Sequence, residues 1–271
     1  MANFRVTDYG ASIRLAGLFS MTFLVFAAPA AVGGTFGFSA SGVNTGTGNT
    51  VSGTLTFVAA GDPGCSTIAG SMCIILTDTS AATVSRGDLV SGFFFSLSTP
   101  YSSLTLATGM GTLVQSGQSA ITGANLLVAS SGYGLVESST GNLGTNTAGT
   151  AFPYQYGVST VGDGGIFNGN TVGADEYALV AAGTNLSLKG LGGLQYVQTT
   201  ATFVVSGLPS GFVLSSPSQI TNVGIAYGSA PDVLLPGHYA PEPASWVGVA
   251  SGLLAGAFVL KRRRQRAPAS G

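Results

Sequence analysis

Alternating apolar and polar residues recur along the middle of this chain and predict a domain built from β-strands. The alternation is clearest in five segments, each bounded by Gly, Asn, Asp or Pro. β-branched and aromatic residues are abundant in them, as is typical of half-buried strands. Helical periodicity is nearly absent between residues 32 and 240. The five segments are 51–58, 73–77, 93–97, 200–206 and 220–227.

Many short strands separated by Gly-rich turns favour an antiparallel β-sandwich or a jelly-roll-like fold. The chain shows no fixed repeat period, which argues against a solenoid of stacked repeats. One segment, 175–182, is compatible with either a short helix or a strand. The sequence therefore predicts an all-β domain over residues 32–238.

The N-terminal residues have the pattern of a secretory signal. Arg5 and Arg14 give a positively charged leader before an apolar stretch over 15–28. The small residues Ala28 and Ala30 then stand at the spacing that signal peptidase recognises. We therefore expect residues 1–31 to be a signal peptide. An uncleaved N-terminal anchor is the alternative.

The C-terminal residues predict a single transmembrane helix that stops at a basic cluster. Residues 244–260 carry no charge, and a helix of that length spans roughly 25 Å, the short end of what crosses a hydrocarbon core. Basic residues directly after an apolar helix hold that end on the cytoplasmic side. The residues of this membrane stop are Lys261, Arg262, Arg263 and Arg264.

The triplet Pro241, Glu242 and Pro243 stands directly before this apolar run. Together the triplet, the run and the basic cluster make residues 239–271 resemble the PEP-CTERM sorting signal. The two prolines fix φ and remove N–H donors, so the triplet stays extended and outside the helix, as a protease substrate must be.

The resemblance implies processing by exosortase, a membrane-embedded, Cys-dependent enzyme of Gram-negative bacteria that also make extracellular polysaccharide. It further implies export through the inner membrane and transient anchoring there. The processed protein would then reach the cell surface or the extracellular space.

Charge within the predicted domain excludes some classes of partner. Between residues 32 and 240, Arg86 and Lys189 are the only cations and stand against eight acids, which gives a net charge of −6. Binding to nucleic acid or to an anionic lipid surface needs clustered Lys and Arg. We therefore expect no nucleic-acid partner.

The residue types present argue against an enzyme. His238 is the only histidine and lies in what we expect to be a linker, so Ser-His-Asp, Cys-His and histidine–metal chemistry have no residue in the domain to carry them. No nucleotide-binding fingerprint occurs, the acids are scattered, and the domain has no Trp to stack on a sugar ring. We expect no catalytic residues and no cofactor.

A short stretch rich in oxygen ligands leaves two interpretations open. Calcium favours such loops, but the spacing does not match a helix–loop–helix calcium site. Asp-Gly and Asn-Gly pairs are also typical of plain turns. We assign no metal site, and the calcium candidates are Asp163, Asn168, Asn170 and Asp175.

Two further local patterns concern the domain itself. Cys65 and Cys73 are eight residues apart, and in an exported protein we expect a disulfide between them; a zinc site would need further ligands. Arg86, Gly87 and Asp88 spell an adhesive tripeptide, but their position before a predicted strand favours a turn.

The sequence favours a non-enzymatic exported surface or extracellular-matrix protein, sorted and processed by exosortase. Because that family occurs with extracellular polysaccharide, association with exopolysaccharide in a biofilm is the expected role. Two alternatives stay open: a secreted carboxylate-dependent enzyme acting on polysaccharide, and a permanently membrane-anchored periplasmic protein.

Overall fold

Strands make up nearly all the regular structure of the residues described in the computed structural model, which are 33–128, 132–145, 149–160, 176–188, 190–228 and 233–240. Two 3₁₀ turns, Arg86–Asp88 and Pro217–Gln219, are the helical elements of these residues. Within the same ranges no helix is long and apolar enough to cross a membrane. Every described residue belongs to one compact unit, within Ala31–Gly271.

The described residues form fourteen strands. In chain order they are β1 Thr35–Val43, β2 Thr50–Ala59, β3 Ser71–Asp78, β4 Val90–Leu97, β5 Thr105–Val114, β6 Ile121–Asn125, β7 Gly134–Glu137, β8 Gly144–Thr145, β9 Ala151–Phe152, β10 Tyr156–Ser159, β11 Leu179–Val180, β12 Tyr196–Ser206, β13 Ile220–Tyr227 and β14 Val233–Ala240. The prediction of an all-β fold is confirmed. The five alternating segments lie in β2, β3, β4, β12 and β13.

Of the two structures open for 175–182, the described part forms a strand, the two-residue β11, preceded by a turn. The predicted signal peptide, 1–31, and the predicted transmembrane helix, 244–260, lie outside the described residues.

Eight strands close into a barrel, where we expected a sandwich or jelly roll. Around the ring the order is β12, β3, β2, β1, β14, β13, β4 and β11, and β11 pairs again with β12. Leu179 of β11 makes the closure, because it pairs with Val90 of β4 and also with Val197 of β12. The sheet therefore joins its own two edges instead of facing a second sheet.

Side chains fill the interior of this barrel, as expected for eight strands. Inward positions alternate along each strand with outward ones, as the buried Leu55 and Phe57 do along β2. The rings of Phe57 and Phe95 meet edge to face at 5.4 Å, and those of Phe93 and Phe203 lie 5.4 Å apart. Such aromatic pairs stabilise a core beyond the area that they bury.

All eight residues of β4 are buried, so this strand packs against apolar groups on both faces. Phe93 and Phe95 point into the barrel, whereas Phe94 belongs to a separate outer cluster with Phe152 and Tyr154. The separate two-stranded sheet of β8 and β9 contributes Phe152 to that cover. The three consecutive phenylalanines therefore pack in two separate apolar clusters, one inside the barrel and one outside it.

The sheet continues beyond the ring at two places. β5 pairs with β12 and carries β6 at its far side, while β10 pairs with β4 and carries β7. The start of β5 and the strand β7 both contribute residues to the lining of a groove. These two extensions position the cleft described below.

The expected disulfide is confirmed, since the Sγ atoms of Cys65 and Cys73 are 2.02 Å apart. Its loop lies on the outer surface of the barrel, where Cys73 packs with Val58 and Val204. Closing this short loop stabilises the fold by roughly 2–3 kcal/mol in the chain-entropy account.

The double burial of β4 predicts that Phe94→Ala destabilises the protein as strongly as a substitution inside the barrel. Both Phe93 and Phe94 are fully buried, so each truncation should lower the free energy of unfolding by about 3–5 kcal/mol in urea titrations. The control is Thr122→Ala, a substitution on an exposed strand, which should change the free energy of unfolding by less than about 1 kcal/mol. A loss as small as the control's for Phe94→Ala would show that the outer cluster does not stabilise the fold.

Candidate functional site

The structure brings together one predicted pair, Cys65 and Cys73. The processing motif Pro241, Glu242 and Pro243, and the membrane stop 261–264, lie outside the described residues. The calcium candidates lie outside them too; these are Asp163, Asn168, Asn170 and Asp175.

The expectation that His238 lies in a linker is wrong. This residue belongs to β14, where it pairs with Ser39 of β1 and is exposed. The hydrogen bonds of β14 to both β1 and β13 make it part of the barrel wall.

Asp88 anchors a turn and does not present an adhesive tripeptide. Its side chain is only 1% exposed, and one carboxylate oxygen accepts a hydrogen bond of 2.6 Å from Thr47 Oγ1. The other accepts hydrogen bonds from Asn49 Nδ2 and Ser85 Oγ. The predicted turn before β4 is thus confirmed, and its carboxylate holds the β1–β2 turn.

A second buried carboxylate lies at the same end of the barrel. Asp78 continues the inward positions of β3 and is 2% exposed. It accepts hydrogen bonds from the backbone N–H of Ser80 at 2.9 Å and from Thr83 Oγ1 at 3.4 Å. Its carboxylate therefore orders the loop that follows β3.

That loop in turn holds the strand that closes the barrel. Thr83 Oγ1 accepts a hydrogen bond of 2.9 Å from the backbone N–H of Ala181, directly after β11. Thr184 Oγ1 donates to the carbonyl of Ala181 and accepts from the backbone N–H of Thr83. Thr83 therefore links Asp78 by hydrogen bonds to the end of β11, the strand that closes the barrel.

Burial dominates the electrostatics of Asp78. It raises the pKa of this carboxyl to about 6, although the hydrogen bonds from Ser80 and Thr83 favour the charged form. Burial, and secondarily the charge of Asp78, also raises the pKa of Tyr227 above its ordinary range. Asp78 and Asp88 both make hydrogen bonds that hold loops, and neither lines the two clefts described below.

The outer surface of β1, β2, β3 and β12 carries an array of hydroxyl groups, which we call the hydroxyl face. Register places Ser39, Thr54, Thr77 and Thr200 opposite one another in one row across four strands. Thr77 and Thr200 share a hydrogen bond of 3.2 Å between their hydroxyls. The members of the hydroxyl face are Ser39, Ser41, Ser52, Thr54, Thr56, Thr77, Thr200 and Thr202.

The hydroxyl face is regular and uncharged. Its members are exposed or half-buried, with neighbouring strands about 4.8 Å apart and successive outward residues about 6.8 Å apart along each strand. In these four strands the only charged residue is Asp78, whose side chain points inward. The arrangement offers many hydrogen-bond donors and acceptors to an uncharged, hydroxyl-rich partner.

A cleft of about 230 Å³ lies between the loop after β4 and the end of β7. Its lining combines one aromatic ring, one carboxylate and several hydroxyls, with a proline at the rim. Glu137 is the one carboxylate of this lining among the described residues. The lining residues are Pro100, Tyr101, Ser102, Glu137, Ser138 and Ser139.

Hydrogen bonds fix both walls of this cleft. Each carboxylate oxygen of Glu137 accepts one backbone N–H, from Ser103 at 3.0 Å and from Leu104 at 3.2 Å. The hydroxyl of Tyr156 accepts the N–H of Tyr101 at 2.7 Å and donates to its carbonyl at 2.6 Å. Ser103 has a φ of +69°, a conformation that non-glycine residues rarely adopt and that these contacts maintain.

A second groove, of about 300 Å³, lies along the start of β7. Tyr133 lines it, and the hydroxyl of this residue is buried with no hydrogen-bond partner in the described structure. The ring of Tyr133 packs edge to face on Phe203 at 4.7 Å, which ties the groove wall to the barrel core. The other lining residues are Leu104, Thr105, Leu106, Leu127, Gly134 and Leu135.

Comparison with known proteins yields no relative of this chain. No protein-family model, no curated protein and no solved structure matches it.

The raised pKa of Asp78 predicts that stability falls as pH rises. Because the neutral carboxyl is favoured in the folded state, this group's contribution is fully present below about pH 4 and is lost as the pH rises through about 6. The full change corresponds to about 3 kcal/mol. Asp78→Asn keeps an acceptor for Ser80 and removes the titration, so urea titrations from pH 4 to 8 should show a flatter profile. Equal pH profiles for the two proteins would contradict this assignment.

Proposed function

We propose that this protein is a non-enzymatic exported surface or matrix protein that associates with uncharged extracellular polysaccharide. The sorting part of the proposal rests on the resemblance of residues 239–271 to the PEP-CTERM signal, with exosortase and signal peptidase as processing partners. The binding part rests on the domain. The two parts are tested separately below.

The hydroxyl face is the observation that supports polysaccharide association. A polysaccharide presents repeated hydroxyls along an extended chain. One row of Ser and Thr presents matching groups across four strands, and Thr56 and Thr202 flank Ile75 in the neighbouring row. Each hydrogen bond exchanged with water adds little, but many repeated contacts along one polymer add up. The domain's net charge of −6 disfavours an anionic polymer.

The alternative of a carboxylate-dependent enzyme is less well supported. Hydrolysis of a glycosidic bond by the usual route needs two carboxyl groups flanking that bond. Asp78 and Asp88 are buried within loop contacts, and in the described residues Glu137 is not joined by a second acid in the cleft. Binding without hydrolysis is therefore the function we favour.

Processing at the Pro-Glu-Pro triplet is tested by intact mass and cell fractionation in the producing bacterium. We expect the native product to end near residue 243 and to lie outside the cell. The variant Pro241→Ala/Glu242→Ala should stay full-length in the inner membrane, since it lacks the recognition element. Native protein that keeps its arginine tail in the membrane would instead support the permanently anchored alternative.

Binding through the hydroxyl face is tested with Thr56→Val/Thr202→Val, which removes two hydroxyls but keeps β-branched side chains of similar shape. Loss of two hydrogen bonds of about 1 kcal/mol each should weaken binding by about tenfold or more. The measurement is co-sedimentation of the purified domain with insoluble neutral glucan, with anionic alginate gel as the comparison.

The control for that experiment is Thr122→Val, the same substitution on the exposed strand β6 outside the hydroxyl face. It should bind as the unmodified protein does. If both variants bind equally well, the hydroxyl face is not the contact surface. If the unmodified protein binds only alginate, the proposal of an uncharged polymer fails.

A further inference from the structure

The cleft beside Glu137 has a lining that suits one particular class of ligand. It joins an exposed carboxylate to the half-buried ring of Tyr101 and to the hydroxyls of Ser102 and Ser139. We propose that this cleft binds a single uncharged sugar ring, as a specific subsite for the polysaccharide that the hydroxyl face contacts. This inference rests on the proposed function for the identity of the polymer, but the subsite is testable by itself.

The volume of the cleft favours a small ligand. Sites for drug-sized molecules usually enclose roughly 300–1,000 Å³, whereas this cleft encloses about 230 Å³. A single sugar ring is smaller than a drug-sized molecule and fits a cleft of this volume. The remaining units of a polymer chain would lie outside the cleft, on the protein surface.

The carboxylate of Glu137 can accept two hydroxyl donors at once. Its two oxygens each accept one backbone N–H, but a carboxylate has about four acceptor positions. Two positions thus remain for adjacent hydroxyls of a sugar, and hydrogen bonds to a charged acceptor are stronger than neutral ones. The backbone N–H groups hold the oxygens in place, so no rearrangement is needed on binding.

The ring of Tyr101 supplies the apolar side of the subsite. It packs edge to face on Phe212 at 5.9 Å, and its backbone is clamped by the hydroxyl of Tyr156. A sugar ring has one comparatively apolar face of C–H groups, which an aromatic side chain can cover. The fixed position of Tyr101 therefore orients the sugar ring, while Glu137 accepts hydrogen bonds from the hydroxyls of the sugar.

An anionic sugar is disfavoured at this position, because its carboxylate would approach that of Glu137 with no described Lys or Arg among the lining residues. The lining therefore discriminates against uronic acids and sulfated sugars. This agrees with the charge of the domain as a whole.

The test is titration of the purified protein with methyl glucoside, methyl galactoside and methyl mannoside, followed by NMR chemical-shift changes. We expect at least one of them to bind in the millimolar range, as few contacts allow. Glu137→Gln should weaken that binding by at least fivefold. Ser139→Leu should do the same by filling the cleft without removing any of the hydrogen bonds that hold Glu137 or Tyr101.

The matched control is Ser116→Leu, the same change at an exposed turn away from the cleft, which should bind like the unmodified protein. Circular dichroism of each variant establishes that it is folded. Unchanged affinity in both Glu137→Gln and Ser139→Leu would overturn the subsite, as would tighter, salt-sensitive binding of glucosamine than of the neutral glycosides.

The co-sedimentation experiment separates this inference from the proposed function. If the unmodified protein binds neutral glucan and the two cleft variants bind methyl glycosides unchanged, the subsite is wrong and the function stands. If the methyl glycosides bind in the cleft but no polysaccharide is sedimented with the domain, the subsite stands and the function fails.

Discussion

Burial of β4 on both faces is the constraint on which the rest of the domain depends. A strand with eight buried residues needs apolar partners inside the barrel and outside it. Phe93 and Phe95 meet the barrel core, and Phe94 requires the outer cover with Phe152 and Tyr154. That cover packs on Phe94 of β4 and on Ala226 of β13. The hydroxyl face belongs to β1, β2, β3 and β12, none of which contributes a described residue to this outer cluster.

Three of the domain's carboxylates hold loops in place, and they differ in how far they are exposed. Asp78 and Asp88 are buried at one end of the barrel, where loops must be fixed and where backbone N–H and hydroxyl donors are available to them. Through Thr83, the carboxylate of Asp78 supports β11, which is only two residues long and yet joins the edges of the sheet. Glu137 differs from the two aspartates because it is exposed, although its carboxylate also accepts backbone N–H groups of a loop. It alone of these three carboxylates is available to a ligand.

Local patterns in the sequence were sufficient for some of these features and not for others. The strands β2, β3, β4, β12 and β13 and the disulfide follow from alternation and from two closely spaced cysteines. The barrel closure does not, because the two-residue β11 is too short to show a period and one of its two partner strands, β4, is far away in the chain. The alternation Thr54–Leu55–Thr56 predicts that the two threonines of β2 point outward. Their position beside the hydroxyls of β12, Thr200 and Thr202, follows only from the register of the strands. The cleft joins Tyr101 to Glu137 through backbone contacts that no local pattern records.

The distribution of charge links the two ends of the chain to the chemistry of the domain. Seven of the nine cations lie in residues 1–31 or 261–266. Removal of both segments, as the proposed processing requires, would leave a domain of net charge −6 that anionic surfaces repel. Attachment outside the cell would then depend on uncharged contacts, for which hydroxyl rows and a sugar-sized cleft are suited. The cations to which the proposal assigns membrane targeting would, if retained, favour nonspecific binding to anionic polymers. Processing and selectivity for an uncharged polysaccharide are therefore coupled in this proposal.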